Sequence, residues 1–229
     1  ADTNFLDLDV LLLGPAVQQT ERIFDDFWNS ESGIPLEALT QSDDQALQQL
    51  RQHGDAGQQS ELAQPYLKHL RQSRSVLALP DAKRSMHWVS QAHVYSDPPE
   101  KGQGEGEQHW LPVTLAPLMS AAKRDLRLIS PYFVPGEDGV RWLSGMRGRG
   151  VEVGVLTNSL AANDVVAVHG GYAGYRKPLL EAGVELFELM PHGQSNSSLF
   201  GSSGASLHTK AFAVDGETGF IGSFNMDPR

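Results

Sequence analysis

The sequence predicts an α/β fold in which a sheet is layered by helices. Short apolar runs alternate with stretches of helical periodicity along the whole chain. Three of those runs, 125–130, 151–156 and 184–189, each follow a helical stretch, which is the order of a wound sheet. The closing segment reads as a β-hairpin, with Ser206–Val214 and Thr218–Ser223 joined by a turn at Asp215-Gly216.

Taken in order, Val10-Leu11-Leu12-Leu13 reads as a buried strand ended by the turn pair Gly14-Pro15. Val17, Thr20, Ile23, Phe24, Phe27 and Trp28 recur at helical spacing, so a helix follows. Ser42 with Gln45 makes a capping box for a helix to about His53. Another helix spans Glu61–Arg71, where Pro65 is tolerated only in the first turn. Met86–Tyr95 is extended, and the Gly-rich polar stretch Glu100–Gln108 reads as a mobile loop. A helix over Leu111–Lys123 leads into the 125–130 strand and the turn 131–136. Val140, Leu143 and Met146 mark the next helix. Tyr172, Tyr175, Leu179 and Leu180 mark one more, closed by Gly183. Pro191–Ala205 is rich in Ser and Gly, hence a loop. Trp28, Trp88, Trp110 and Trp142 are expected to pack in or against the core.

The net charge of −10 argues against a general nucleic-acid binder, which shows a basic face. With no cysteine, disulfides and thiolate catalysis are excluded. No segment approaches the roughly 20 apolar residues of a membrane span. Membrane contact is therefore expected to be peripheral or to come through another part of the protein.

The chemistry sits near the end of the chain. His208-Thr209-Lys210, Asp215 and Gly222-Ser223-Phe224-Asn225 follow the spacing H-x-K-x4-D-x6-G-S-x-N. On a strand, residues two apart face the same way, so His208 and Lys210 are expected to project together. A histidine attacks phosphorus or hands a proton to a leaving oxygen near neutral pH. A lysine beside it pins a phosphate oxygen and stabilises transition-state charge. Gly222, Ser223 and Asn225 supply compact donors to the same phosphate or brace the histidine. Asp215, at the turn, is placed as an orienting or structural acid of the catalytic set. The four residues His208, Lys210, Ser223 and Asn225 are expected to converge at a sheet edge near the carboxyl end of the 125–130 strand, with Lys210 holding a phosphate.

This motif resembles the HKD signature of the phospholipase D superfamily. The stretches Ile129–Gly136, Val168–Tyr172 and Leu179–Val184 are similar to bacterial cardiolipin synthases, and so is the opening Asp7–Val17. The resemblance implies a phospholipase D-like layered sheet flanked by helices, with parts of two pseudo-repeated lobes. Residues 1–85 would be the rear of the first lobe, and 86–229 the front of the second. It implies phosphatidyl transfer through a phosphohistidine, with one histidine from each lobe and no metal or other cofactor. His208 would be the acid/base, since the nucleophile is usually assigned to the first motif.

No other histidine heads an H-x-K: His53, His69, His87, His93, His109, His169 and His192 all fail. The first motif is therefore expected before Ala1, in a missing first-motif lobe, and the chain is expected to be a half-site fragment that turns over poorly unless two copies associate. Tyr132 and His169 are candidates to line the substrate cleft, against packing roles for both. Asp7 and Asp9 suggest a metal pair, but sheet-end solvation is the simpler reading. Arg147-Gly148-Arg149 reads as a solvated helix end. The expected substrate is a phosphatidylglycerol-type phospholipid met at the bacterial inner membrane or from the cytoplasm. Phe133, Val134 and Pro135, and the Leu199-Phe200 loop, would offer apolar contacts. The alternatives are a phosphodiesterase or nuclease of the same superfamily and a non-catalytic fragment; nucleic acid is not the expected partner.

Overall fold

The computed structural model describes residues 4–39, 44–61, 63–73, 86–163, 165–190 and 205–227. The chain forms two compact units. The described residues of one fall within Ala1–Leu12, Gly106–Ser195 and Ser202–Arg229, and the second holds those of Leu13–Glu105. The opening segment thus joins the unit that carries the HKD-like motif.

In the first unit, strand β1 (Asn4–Leu6) is the chain's opening element. The second unit follows, with helices α1 (Ala16–Trp28), α2 (Leu36–Leu39), α3 (Asp44–Gln59) and α4 (Ala63–Gln72). The first unit then continues with α5 (Leu111–Ser120), β2 (Asp125–Ile129), α6 (Gly136–Gly148), β3 (Glu152–Asn158), α7 (Val166–Ala173), α8 (Arg176–Glu181) and β4 (Glu185–Leu189). Strands β5 (Ala205–Leu207), β6 (Lys210–Val214) and β7 (Thr218–Gly222) close it.

Five strands lie in the order β4-β3-β2-β6-β7, with β2, β3 and β4 parallel and β6 antiparallel to β2. Strands β1 and β5 pair in parallel as a separate ribbon. Because side chains alternate along a strand, Leu126 and Leu128, Val153 and Val155, and Phe212 and Val214 share one face of the sheet. They form the core with Leu115 and Met119 of α5, Leu143 and Met146 of α6, Tyr172 of α7 and Leu179 of α8. The opposite face carries Arg127, which reaches Glu185 at 2.7 Å and Glu152 at 3.0 Å across three strands. Gly154 lies beneath that guanidinium, where a Cβ would come within 2.7 Å of it. A side chain at that position would displace the ion pairs.

Several expectations change. Val10–Leu13 forms no strand and is exposed, Leu11 by 71%. The pairing falls instead on Asn4–Leu6, because β5 offers a backbone edge to those residues. Glu100–Gln108 is not an unstructured loop: Pro99–Gln103 and Glu107–His109 are 3-10 helices, and a Lys101–Asp97 ion pair of 2.7 Å holds the first. Gly104 and Gly106 take the left-handed conformations that join them. The expected single helix before Gly183 is two, α7 and α8, with the break at Gly174-Tyr175. Met86–Tyr95 pairs with no strand among the described residues. Helix α3 runs on to Gln59, and its proposed cap, Ser42, lies outside the described residues. Most of the Pro191–Ala205 segment does too.

In the second unit, helix α1 forms where its apolar period predicts. Its apolar side nevertheless stays open: Phe24 stacks on Trp28 with ring centroids 5.5 Å apart, and both are exposed. Trp28 and Trp88 are therefore not core residues, whereas Trp142 donates to Ser120 at 2.9 Å and packs against the core. Arg147 is no freely solvated helix end. It donates to the Val151 carbonyl at 2.9 Å and lies against Gly183, whose φ of 83° is the left-handed turn that closes α8.

Candidate functional site

The hairpin register assembles the two halves of the motif. Lys210 pairs with Gly222, so His208 precedes β6 and Ser223 and Asn225 follow β7 at the same end of the hairpin. Ala211 pairs with Ile129, which puts that end beside the carboxyl end of β2, as expected. Of the two hairpin strands, β6 is interior and β7 is an edge of the sheet.

His208 does not lie on one continuous strand with Lys210. The chain breaks at His208-Thr209, between β5 and β6, because Leu6 accepts from both backbone amides, at 2.8 and 3.1 Å. The alternation that would align the two side chains is lost there. The His208 ring is half exposed, while Lys210 is buried and turns back to donate to the His208 carbonyl at 2.6 Å. Lys210 therefore braces the histidine's backbone.

The ring of His208 meets a group that the sequence did not reveal. Its Nδ1 lies 2.7 Å from Asp7 Oδ2, and Phe5 tilts against it with centroids 5.5 Å apart. A carboxylate only accepts, so Nδ1 carries the proton and Nε2 is the nitrogen left for chemistry. The hydrogen bond from His208 holds the Asp7 carboxyl below the usual carboxylate range, and the Leu8 amide and the charges of His208 and Lys210 act the same way. Asp7 is thus a partner of the histidine. The signal for it was slight, since 201 residues separate the two.

Asp215 stands apart from this site. It follows β6 at the turn, five residues from Lys210, about 16 Å at strand rise. Its carboxylate accepts from the backbone amides of Lys123, Arg124 and Asp125, at 2.8–3.2 Å. Those bonds hold its carboxyl below the usual range. Its φ of 56° makes the turn. Asp215 ties the hairpin to the start of β2, which is the structural of the two roles expected of it and sets it apart from the other residues of the expected catalytic set.

Ser223 and Gly222 are exposed and Asn225 half-buried, with its Oδ1 enclosed and without a partner among the described residues. The segment they occupy is anchored by Ser130, whose hydroxyl donates to the Tyr132 carbonyl at 2.7 Å and accepts from Met226 at 3.0 Å. Val134 donates to the Met226 carbonyl at 2.8 Å. This puts half-buried Tyr132 on the loop at the carboxyl end of β2, joined to the motif through Met226. Phe133, by contrast, is fully buried, with its ring edge-on to Tyr172, so it does not offer the apolar surface expected of it. A small apolar cavity of about 20 Å³ lies between Ser130, Ala211, Phe224 and Met226 and does not reach His208.

His169 is buried in α7. Arg176 donates to its Nε2 at 2.9 Å and to Glu188 at 2.7 Å. Arginine has no acceptor, so the neutral ring keeps its proton on Nδ1, which has no partner among the described residues. Burial, with the Glu188 charge adding to it, pushes the neighbouring Tyr172 hydroxyl up to about 12. The structure gives His169 these partners and no contact with His208.

A family model described as cardiolipin synthase, PLD-like domain, matches residues 115–229. Cardiolipin synthase C of Escherichia coli K12 is 39% identical over 231 residues, covering 98% of this chain and 49% of that protein. Cardiolipin synthase A of Proteus mirabilis is 33% identical over 109 residues, 48% of this chain and 19% of that protein. The chain thus spans about half the length, or less, of the curated relatives it matches. Of solved structures, the phospholipase D family member Nuc from Salmonella typhimurium aligns at 20% identity with a TM-score of 0.36, over 51% of this chain and 64% of that one. With the matched region running from α5 through the whole H-x-K-x4-D-x6-G-S-x-N motif, the chain belongs to the phospholipase D superfamily, in its cardiolipin synthase-like branch.

Proposed function

We propose that this chain supplies one histidine of a two-histidine site for phosphatidyl transfer between phospholipid alcohols. The observation that carries the reading is the His208–Asp7 pair at the open end of the hairpin. In the first half-reaction a second histidine attacks phosphorus, its N–P bond forms, and the P–O bond to the leaving alcohol breaks. His208 gives the Nε2 proton to that oxygen. In the second half-reaction His208 takes the proton from the incoming alcohol as its oxygen attacks phosphorus and the N–P bond breaks. Asp7 holds the ring through Nδ1 in both steps and balances its charge when it carries two protons. Lys210 fixes the histidine's backbone. Ser223 and Asn225 are the donors nearest the same end of the hairpin, and Tyr132 and His169 are the candidate cleft residues.

Only one H-x-K occurs in the sequence, so the second histidine comes from a first-motif lobe or from a second copy. The expected donor is a phosphatidylglycerol-type lipid met by peripheral membrane contact; no helix among the described residues is long and apolar enough to cross a membrane. The net charge of −10 supports a lipid phosphate over a polyanionic nucleic acid.

Turnover of a chromogenic phosphodiester, measured across protein concentration with a His208→Ala control, tests the half-site. The expected rate per chain is negligible when dilute and rises with concentration only if copies pair. A rate strictly first order in chain and abolished by His208→Ala would refute the half-site. Phosphatidylglycerol vesicles and DNA, offered to the protein carrying both motifs, test the substrate class. Degraded DNA beside unchanged lipid would replace the transferase with a nuclease.

A further inference from the structure

Beside the motif, at the carboxyl end of β3, lies a buried polar residue to which neither the motif nor the chemistry above assigns a part. Asn158 is 1% exposed. Its carboxamide meets Leu207 in both directions: the Leu207 amide donates to Oδ1 at 2.9 Å, and Nδ2 donates to the Leu207 carbonyl at 3.0 Å. Nδ2 also approaches Ser206 Oγ at 3.3 Å. The side chain thus does for Leu207 what a neighbouring strand's peptide would do.

Leu207 immediately precedes His208. On its other side it pairs with Leu6 in the β1–β5 ribbon. Leu6 in turn accepts from the His208 amide, and the next residue after Leu6 is Asp7. The ribbon has only three rungs, too few to hold a register by itself. Asn158 adds two bonds from the rigid five-stranded sheet, and β3 is buried along most of its length. A one-residue slip of β5 would turn the His208 side chain to the other face, away from Asp7.

We propose that Asn158 is a positioning residue for His208: its carboxamide locks β5 to the end of β3 and so sets the register in which the imidazole meets the Asp7 carboxylate. The inference rests on the reading of His208 as the proton-transfer residue.

The test follows the proton on His208 Nδ1 by nitrogen-edited NMR of the whole 229-residue chain. In the parent sequence the bond to Asp7 slows its exchange with water. Asn158→Ala is expected to speed that exchange about tenfold, the factor to which one lost hydrogen bond corresponds. The amides of Leu128, Val155 and Phe212 should keep their protection. Asn158→Asp preserves volume and the acceptor for the Leu207 amide but removes the donor. It should release the proton at neutral pH and restore it, relative to the parent sequence at the same pH, once acid protonates the new carboxyl. An unchanged Nδ1 proton in both variants overturns the proposal. So does global unfolding of both, which would assign Asn158 to the fold alone. No substrate enters this measurement. Release of the ring by Asn158→Ala, together with phosphodiester turnover by the protein carrying both motifs that is indifferent to His208→Ala, would uphold the clamp and refute the catalytic reading.

Discussion

Ser130→Ala tests how the second half of the motif is held. The hydroxyl is buried, 4% exposed, and makes two bonds: it donates to the Tyr132 carbonyl at 2.7 Å and accepts from the Met226 amide at 3.0 Å. A net hydrogen bond contributes about 1 kcal/mol, and a buried partner left unpaired costs about 1–3 kcal/mol. Both partners are only part-buried, so water recovers some of that loss, and the substitution should cost about 2 kcal/mol. The volume removed is a single oxygen, so no cavity term enters. Met226 keeps its bond from Val134, so the segment should loosen without detaching. With a urea dependence of about 2 kcal/mol per molar, the unfolding midpoint should fall by about 1 M. Amide exchange at Leu128 and Phe212 isolates the transition of the five-stranded unit. Ser120→Ala is the control: the Ser120 hydroxyl is also hydrogen-bonded, accepting from the Trp142 side chain, but in an exposed pair, and its loss should shift stability by less than about 0.5 kcal/mol. A Ser130→Ala midpoint within that control's range would refute the staple between Ser130 and the Ser223–Asn225 segment.

Asp215→Asn should flatten the acid side of the stability profile. The folded carboxyl sits below 3.8, so its contribution is fully present above that pH and is lost as pH falls through the folded value; urea midpoints of both proteins should converge at strongly acid pH. Leu143→Ala, in a fully buried position of α6, should cost about 2–5 kcal/mol by urea denaturation. Gly222→Ala should cost about 1–3 kcal/mol, because its Cβ would come within 2.6 Å of the Phe220 ring stacked on Phe212. Gly154→Ala meets only the movable end of Arg127, and its midpoint should change by less than about 0.5 kcal/mol equivalent.

Local periodicity was enough to read β2, β3, β4 and the β6–β7 hairpin, together with helices α1, α5 and α6, because each signal is complete within a few residues. The motif's spacing was likewise legible, since a hairpin folds it onto itself: Lys210 and Gly222 pair across a short turn, and pairing brings Ser223 and Asn225 to the histidine's end. Which histidine neighbour matters was not legible. Asp7 lies 201 residues from His208, and their contact exists only because β1 pairs with β5. The same pairing interrupts the strand at His208, between β5 and β6, against the unbroken two-residue alternation that the sequence suggested. Asp215 shows the converse. The hairpin reading already put a strand between it and His208, but only the tertiary structure supplies the three backbone amides against its carboxylate that fix its role. Asn158 had no signal in a single sequence, because an asparagine ending a strand reads as a turn residue until the partner backbone it satisfies is folded beside it.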